Sequence, residues 1–274
     1  MILEATPKTL PLLDLGPLVA DLAADPHLGA KLVHAAELPA EPARFGELDP
    51  PLPAPLVSAL ARGGVKRLWS HQAEAIAAVR RGENVLVTTP TASGKSLVFQ
   101  VPPLEEALAG GPGRALFLFP LKALGRDQRG KFRDIAAACG LGSEEAGCEI
   151  YDGDTSASER AAIRRRFPRV VITNPDMLHL GLLGHWTSWG PFLADLRWIV
   201  LDELHAYRGI FGSHFHHVLS RLLRLCRALG AEPQLIASSA TAANAGEFAE
   251  ALTGRPFRWI REPGAPREGR RFLL

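Results

Sequence analysis

The segment "TASGKS", Thr91 to Ser96, joins a short apolar run to the apolar start of a helix, and strand, loop, helix is the context in which a phosphate-binding loop works. In that setting backbone N–H groups and the helix N-terminus face the phosphates. Lys95 supplies a cation to the β- and γ-phosphates, and the Ser96 hydroxyl ligates Mg²⁺. Thr89 stands where the pattern G-x-x-x-x-G-K-[ST] has its first glycine, and Pro90 removes one backbone donor, so the cradle rests on Ala92 to Ser96. Alone, these residues also read as a Gly-Lys-Ser turn opening a helix. "WIVLDELH", residues 198 to 205, favours chemistry: an apolar strand ends in two adjacent carboxylates about a hundred residues downstream. A carboxylate at the end of a parallel strand lies at the edge where ligands of α/β sheets bind. Asp202 then completes a Mg²⁺ shell and Glu203 polarises an attacking water, the two tasks that phosphoryl transfer needs beyond positioning.

Elements that hold such a site follow from periodicity. The runs "NVLVT" (84–88), "RALFLF" (114–119), "CEIY" (148–151), "RVVIT" (169–173), "RWIVLD" (197–202) and "QLIASS" (234–239) are mostly continuously apolar, as strands covered on both faces are. Helix-compatible stretches lie at 70–81, 123–139, 156–166 and 212–229. Alternation of the two predicts an α/β fold with a parallel sheet flanked by helices. Residues 1–66, rich in Pro, Ala and Leu, predict an extension of short helices and extended linker, with repeated prolines breaking regular periodicity. The expected division is 1–66 as this extension, 67–256 as the nucleotide-binding domain and 257–274 as a linker.

The 274 residues carry 31 Lys and Arg against 29 Asp and Glu, a net charge of +2, so any basic surface has to come from local clustering. Three cysteines, at 139, 148 and 226, form no C-x-x-C pair and announce neither a disulfide framework nor a zinc site. With no secretory signal and no run of roughly 20 apolar residues, the expectation is a soluble, cytoplasmic protein. His214 and His217 share a helix face without a carboxylate or cysteine at ligand spacing, which favours packing over metal.

"TASGKS", "LDELH" and "SSAT" (238–241) resemble motifs I, II and III of superfamily 2 helicases of the DEAD/DEAH-box style, in which the first glycine of the phosphate loop is routinely replaced. More narrowly, "LWSHQAEAI" (68–76), "PLKALGRDQ" (120–128), "YDGDTSASER" (151–160), "TNPDMLH" (173–179) and "LDELHAYRGIFGSH" (201–214) are similar to the mitomycin repair factor A family of DNA helicases, relatives of fungal RecQ-like repair helicases. "LVHAAELPAEPARF" (32–45) is similar to that family's lead-in. The resemblance implies a RecA-like P-loop NTPase fold and ATP with Mg²⁺ as cofactors. It implies Gln72 as the adenine reader and Thr91, Ala92, Ser93, Gly94, Lys95 and Ser96 as the phosphate cradle. Ser96 and Asp202 would hold Mg²⁺; Lys95, Asp202, Glu203 and His205 would form the catalytic set. His205 with Ser239, Ala240 and Thr241 would link nucleotide state to nucleic acid, and Leu204 departs from the small or β-branched residue usual before that histidine. The bland alternatives are that His71 and Gln72 occupy a solvated helix face and that "SSAT" is a turn.

Nucleic-acid affinity comes mainly from phosphate contacts by Lys, Arg and small hydroxyls. Lys122 and Arg126, with Arg129, Lys131 and Arg133, follow one apolar run; Thr155, Thr173 and Asn174 sit in strand-end loops, with Lys122 and Thr173 the preferred contacts. The run Arg164 to Arg166 reads equally as a solvated helix face. Only twenty residues follow "SSATAANAGEFAEALTG", so the resemblance implies a continuation into a second RecA-like domain, and a chain that by itself binds ATP-Mg²⁺ weakly and does not unwind DNA. Two other readings stay open: an RNA helicase domain of the same superfamily, and a non-catalytic nucleic-acid-binding module with a vestigial nucleotide pocket.

Overall fold

The computed structural model describes residues 15–31, 34–90 and 93–273. In chain order its elements begin with helix α1 (Leu15–Ala24), strand β1 (Ala35–Leu38), helices α2 (Ala54–Arg62) and α3 (Ser70–Arg80), strand β2 (Val85–Val87), helix α4 (Ser96–Leu108) and strand β3 (Arg114–Leu118). Next come helices α5 (Lys122–Ala138) and α6 (Ser143–Ala146), strand β4 (Cys148–Ile150), helix α7 (Ala157–Arg165), strand β5 (Val170–Thr173), helices α8 (Pro175–Met177) and α9 (Trp186–Ala194) and strand β6 (Leu196–Leu201). Helix α10 (Gly209–Ala228), strand β7 (Gln234–Ser238), helix α11 (Ala245–Thr253) and strands β8 (Arg258–Ile260) and β9 (Arg270–Leu273) complete the set.

Two compact units result, one of residues up to 42 together with 266 onward, the other of 43–265. In the smaller unit β1 and β9 pair antiparallel, and the backbones of Glu41 and Arg267 exchange hydrogen bonds of 2.8 and 3.0 Å.

The larger unit is built on a seven-stranded, wholly parallel sheet in the order β4-β5-β3-β6-β7-β2-β8. All six apolar runs of the sequence become strands of it. Because strand side chains alternate between faces, Ala115 and Phe117 enter one core while Leu116 and Leu118 enter the other. The first core takes Leu56 and Leu60 of α2, Ile76 of α3, Phe99 and Leu104 of α4 and Phe132 of α5. The second takes Trp189 and Phe192 of α9, Phe215 and Leu222 of α10 and Leu252 of α11. Coverage on both faces is the reason the runs are continuously apolar.

Helix α2 is one of the short helices expected within residues 1–66, and the prolines there fall where a helix tolerates them. Pro53 is the N-cap and Pro55 lies in the first turn, where the missing N–H has no intrahelical partner to lose. Strand β8 lies within the stretch expected as linker, yet pairs parallel with β2, Val87 opposite Ile260. No helix among the described residues is long and apolar enough to cross a membrane.

Candidate active site

Registers set the site. Leu118 lies opposite Leu201, Leu201 opposite Ala237, and Val87 opposite Ser238, so β3, β6, β7 and β2 end level at the sheet's carboxyl edge. The loop from β2 to α4 and the acidic turn after β6 both leave from that edge.

Thr91 and Ala92 lie outside the described residues. The rest of the loop is fastened by buried side chains. Thr89, where the first glycine of the general motif was missing, is buried and shares a 2.6 Å hydrogen bond between its hydroxyl and that of Ser93. Gly94 has φ +76°, the left-handed region, and a Cβ there would lie 2.5 Å from Gln72 Nε2, so backbone and neighbour both require glycine. Gln72 Nε2 donates to the Gly94 carbonyl at 2.9 Å and its Oε1 accepts from the Trp69 N–H at 2.9 Å. Both ends of the amide that the resemblance assigns to adenine are thus engaged within the chain. His71 accepts the Gly264 N–H at Nδ1 and donates from Nε2 to the Ser93 carbonyl, each at 3.0 Å. Burial, aided by the nearby Lys95 ammonium against the Ser93 bond, lowers its pKa and keeps this neutral tautomer. Neither residue sits on a solvated face, because both are at most 2% exposed.

Lys95 Nζ donates to the carbonyls of Thr89, at 2.7 Å, and Ser239, at 3.1 Å, spanning the phosphate loop and the end of β7. Burial lowers its pKa, and the charges of Glu203 and Asp202 oppose that shift. Asp202 follows β6 and stands beside Ser238, whose hydroxyl donates to Oδ1. Burial pushes the Asp202 carboxyl above the ordinary carboxylate range and Glu203 adds to it, while the Ser238 hydroxyl and Lys95 pull it down. Lysine and acids therefore converge on one crevice, each partly stripped of water.

Glu203 adopts φ 51° and ψ 48°, and it alone among the described non-glycine residues has positive φ. Such a conformation costs on the order of 1–3 kcal/mol and persists only where its surroundings impose it. Here the following residue imposes it: Leu204 is fully buried in the second core, so the chain must turn sharply between carboxylate and anchor. His205 Nδ1 lies 3.4 Å from Glu203 Oε2, Ser239 Oγ and the Ala240 N–H. It bridges the acidic turn and the end of β7. Thr241 makes no hydrogen bond to it; it is exposed in a separate cavity of about 300 Å³ with Thr88, Trp259 and Arg261.

Mg²⁺ takes oxygen ligands in octahedral geometry and binds through few protein groups. Ser96 and Asp202 offer that chemistry. The Ser96 hydroxyl accepts from Gln128 Nε2 at 3.1 Å and retains a lone pair. The Asp202 carboxylate is destabilised by burial, which a divalent cation would relieve. The residues present fit the ion.

The nucleic-acid candidates divide. Lys122, opening α5, and Arg126, one turn on, both pair with Asp154, at 2.7 and 3.2 Å, and all three are exposed. Thr155 accepts the Asp152 N–H at 2.9 Å and donates to the Ile150 carbonyl at 3.1 Å. Asn174 caps α8 by accepting the Met177 N–H at 2.9 Å, leaving its amide nitrogen as a donor. Thr173 corrects the expectation of a phosphate contact: it is 3% exposed and its hydroxyl donates to the Tyr151 carbonyl at 2.6 Å, joining the ends of β4 and β5. Of the arginine run, Arg164 donates to the Tyr151 hydroxyl at 3.1 Å, Arg166 pairs with Glu144 and Arg165 is exposed. The His214 ring packs edge-on against His179, centroids 5.4 Å apart.

Sequence reasoning gave no role to Ser238, Gln128 or the two-sided link through His71. Ser238 had a usable signal, since it is the strand residue level with Asp202 once β6 and β7 are paired.

A family model described as DEAD/DEAH box helicase matches residues 69–248. The chain is 43% identical over 217 residues to an uncharacterized ATP-dependent helicase, YprA, of Bacillus subtilis, covering 79% of this chain and 28% of the relative. A crystal structure of the DUF1998 helicase MrfA bound to DNA superposes with a TM-score of 0.88 at 39% identity, over 94% of this chain and 36% of that one. The MrfA structure bound to DNA and AMPPNP gives 0.87 at 38%, over 94% and 35%. The chain thus spans about a third or less of the length of these proteins. Its seven-stranded sheet with flanking helices is the RecA-like fold.

Proposed function

Because the chain belongs to the DEAD/DEAH box helicase family, we propose that it is the first motor domain of an ATP-dependent DNA helicase or translocase acting in DNA repair. The observation that carries this reading is the convergence of Lys95, Asp202 and Glu203 at the level carboxyl ends of β2, β6 and β7. MrfA, matched over 94% of this chain and 35% of its own, is bound to DNA and AMPPNP in its crystal structure, which supports the pairing of ATP with DNA.

In this reading the cradle from Thr91 to Ser96 takes the triphosphate and Lys95 exchanges its carbonyl partners for β- and γ-phosphate oxygens. Gln72 releases one of its two amide bonds to read the adenine. Ser96 and Asp202 would hold Mg²⁺, which would supply positive charge to the bound triphosphate. Glu203, held in its left-handed turn, orients the attacking water and accepts its proton. His205 and Ser239 carry the state of the acidic turn to the end of β7, with Thr241 beyond them. Lys122, Arg126, Thr155 and Asn174 meet the sugar-phosphate backbone. A second RecA-like domain completes the site, supplying an arginine worth on the order of a thousandfold in rate. A cytoplasmic location belongs to the same reading.

The test is binding of a fluorescent ATP analogue with and without Mg²⁺, followed by ATP turnover in the presence of single-stranded DNA or RNA of equal length. Expected are Mg²⁺-dependent binding lost in Lys95→Ala, and slow turnover stimulated more by DNA. No detectable nucleotide binding with Mg²⁺ present overturns the motor reading; stronger stimulation by RNA overturns the DNA assignment.

A further inference from the structure

Gln128 lies in α5, 32 residues from Ser96, and "PLKALGRDQ" ends on it, yet the proposed chemistry leaves it without a task. Its side chain is buried with that of Gln100 between α4 and α5. Two hydrogen bonds run through it. Gln100 Nε2 donates to Gln128 Oε1 at 2.8 Å, and Gln128 Nε2 donates to Ser96 Oγ at 3.1 Å. The direction of this chain is fixed by the first bond. An amide oxygen that accepts from Gln100 turns the amide nitrogen of Gln128 toward Ser96, and that nitrogen can only donate. A hydroxyl oxygen that accepts one bond keeps one lone pair and its own hydrogen, so the bond selects a serine rotamer and leaves a single oxygen site for a metal. Groups that hold a metal ligand from behind commonly change metal affinity by about 10–100-fold when removed.

We propose that Gln128 is a positioning residue for Mg²⁺: supported by Gln100, it holds the Ser96 hydroxyl with a lone pair presented to the ion. The proposal rests on the nucleotide-site reading above. It also explains why two uncharged amides are buried side by side at that point of an otherwise apolar helix interface, where an unpartnered amide would be destabilising.

The experiment measures the dissociation constant of a fluorescent ATP analogue for the 274-residue chain in excess Mg²⁺ and in EDTA, and takes the ratio as the Mg²⁺ advantage. In Gln128→Leu the advantage is expected to fall about tenfold while affinity in EDTA stays within about twofold. In Gln100→Leu, which leaves the bond to Ser96 but removes its support, the fall is smaller, about threefold. In a Ser96→Ala background, Gln128→Leu is expected to change nothing further, because the hydroxyl it acts through is gone. An unchanged advantage in a folded Gln128→Leu chain overturns the proposal, as does an effect that adds fully to that of Ser96→Ala, or a loss of affinity equal with and without Mg²⁺. Should Gln128→Leu unfold, the Gln100→Leu ratio decides by itself. A wild-type chain with no Mg²⁺ advantage overturns the nucleotide-site reading and this proposal with it, whereas a wild-type advantage that survives in the variants overturns this proposal alone.

Discussion

The crevice at the sheet's carboxyl edge and the surface formed by α5 and the β4–α7 loop both carry charge, but they hold it in opposite ways. In the crevice, His71, Gln72, Thr89 and Ser93 are buried and bonded to one another or to backbone, and Lys95 and Asp202 have pKa values displaced mainly by burial. On the surface, Lys122, Arg126 and Asp154 pair while about half of each side chain stays in water, their exposures being 45%, 61% and 54%. Coulombic and hydrogen-bond energies grow as water is excluded, whereas exposed ion pairs contribute about 0–1 kcal/mol. The crevice is therefore preset for one geometry of ligand, and the surface is a set of weak pairs that a polyanion can replace. Substitutions in the first should have large, specific effects; substitutions in the second should have small effects that salt erases.

The largest effect is expected from Glu203→Gln. It keeps the size of Glu203 but removes the carboxylate proposed to accept the proton, so nucleic-acid-stimulated ATP turnover should fall about 10²–10⁴-fold, the range of general-base catalysis. Nucleotide affinity, measured by fluorescence, should stay within about threefold. A variant with near-normal turnover would place the water-activating group elsewhere and dissolve the contrast at its strongest point.

Gly94→Ala comes next. Positive φ strains any side chain, and the Gln72 amide occupies the space a Cβ would need. Denaturant unfolding should register a loss of about 2–3 kcal/mol, near the upper range for one strained residue. Gly230, with φ +86° and open space around its missing Cβ, is the internal control: Gly230→Ala should lose only about 1 kcal/mol, from the backbone alone.

These two glycines also mark how far the sequence could be read. The strands were legible because a parallel sheet covered on both faces demands uninterrupted apolar runs, and Lys95, Asp202 and Glu203 were legible because they sit in short motifs. β8 was not, since three residues on an edge, Arg258-Trp259-Ile260, need no run at all. α2 was legible only as one of several short helices, its bounds obscured by prolines that are compatible with a first turn. Thr173 was mistaken for a surface hydroxyl because burial of β5 continues to its last residue. The links through Ser238, His71 and Gln128 join residues 36, 193 and 32 apart, and local pattern holds no trace of such pairings before the registers are known.

Asp202→Asn should separate stability from function. In the folded chain the Asp202 carboxyl is held above its ordinary pKa, chiefly by burial, so the folded state takes up a proton more readily than the unfolded. Its contribution then favours the fold at low pH and is lost as pH rises from the ordinary carboxylate value through the raised one. Above the raised pKa, without Mg²⁺, the wild type carries this penalty. Removing the charge should raise the unfolding free energy and flatten that part of the stability profile, while Mg²⁺-dependent nucleotide binding disappears. A destabilised Asp202→Asn would mean that the Ser238 and Lys95 interactions outweigh burial.

The smallest effect, and the one that probes the other side of the comparison, belongs to Asp154→Asn. Asp154 accepts from both Lys122 and Arg126, and its own pKa is lowered first by the Lys122 hydrogen bond and then by its charge. With both cations already half in water, freeing them from Asp154 changes little in the fold, and the melting temperature should be unaltered. What changes is the local field. Two cations without a competing carboxylate should raise affinity for single-stranded DNA about two- to fivefold at low ionic strength, with a steeper dependence on salt. Near 0.5 M salt the variant and wild type should converge, since counterions then do what Asp154 did. If instead Asp154→Asn weakens DNA binding, the pairs are part of a built binding geometry and the surface resembles the crevice more than the exposures suggest.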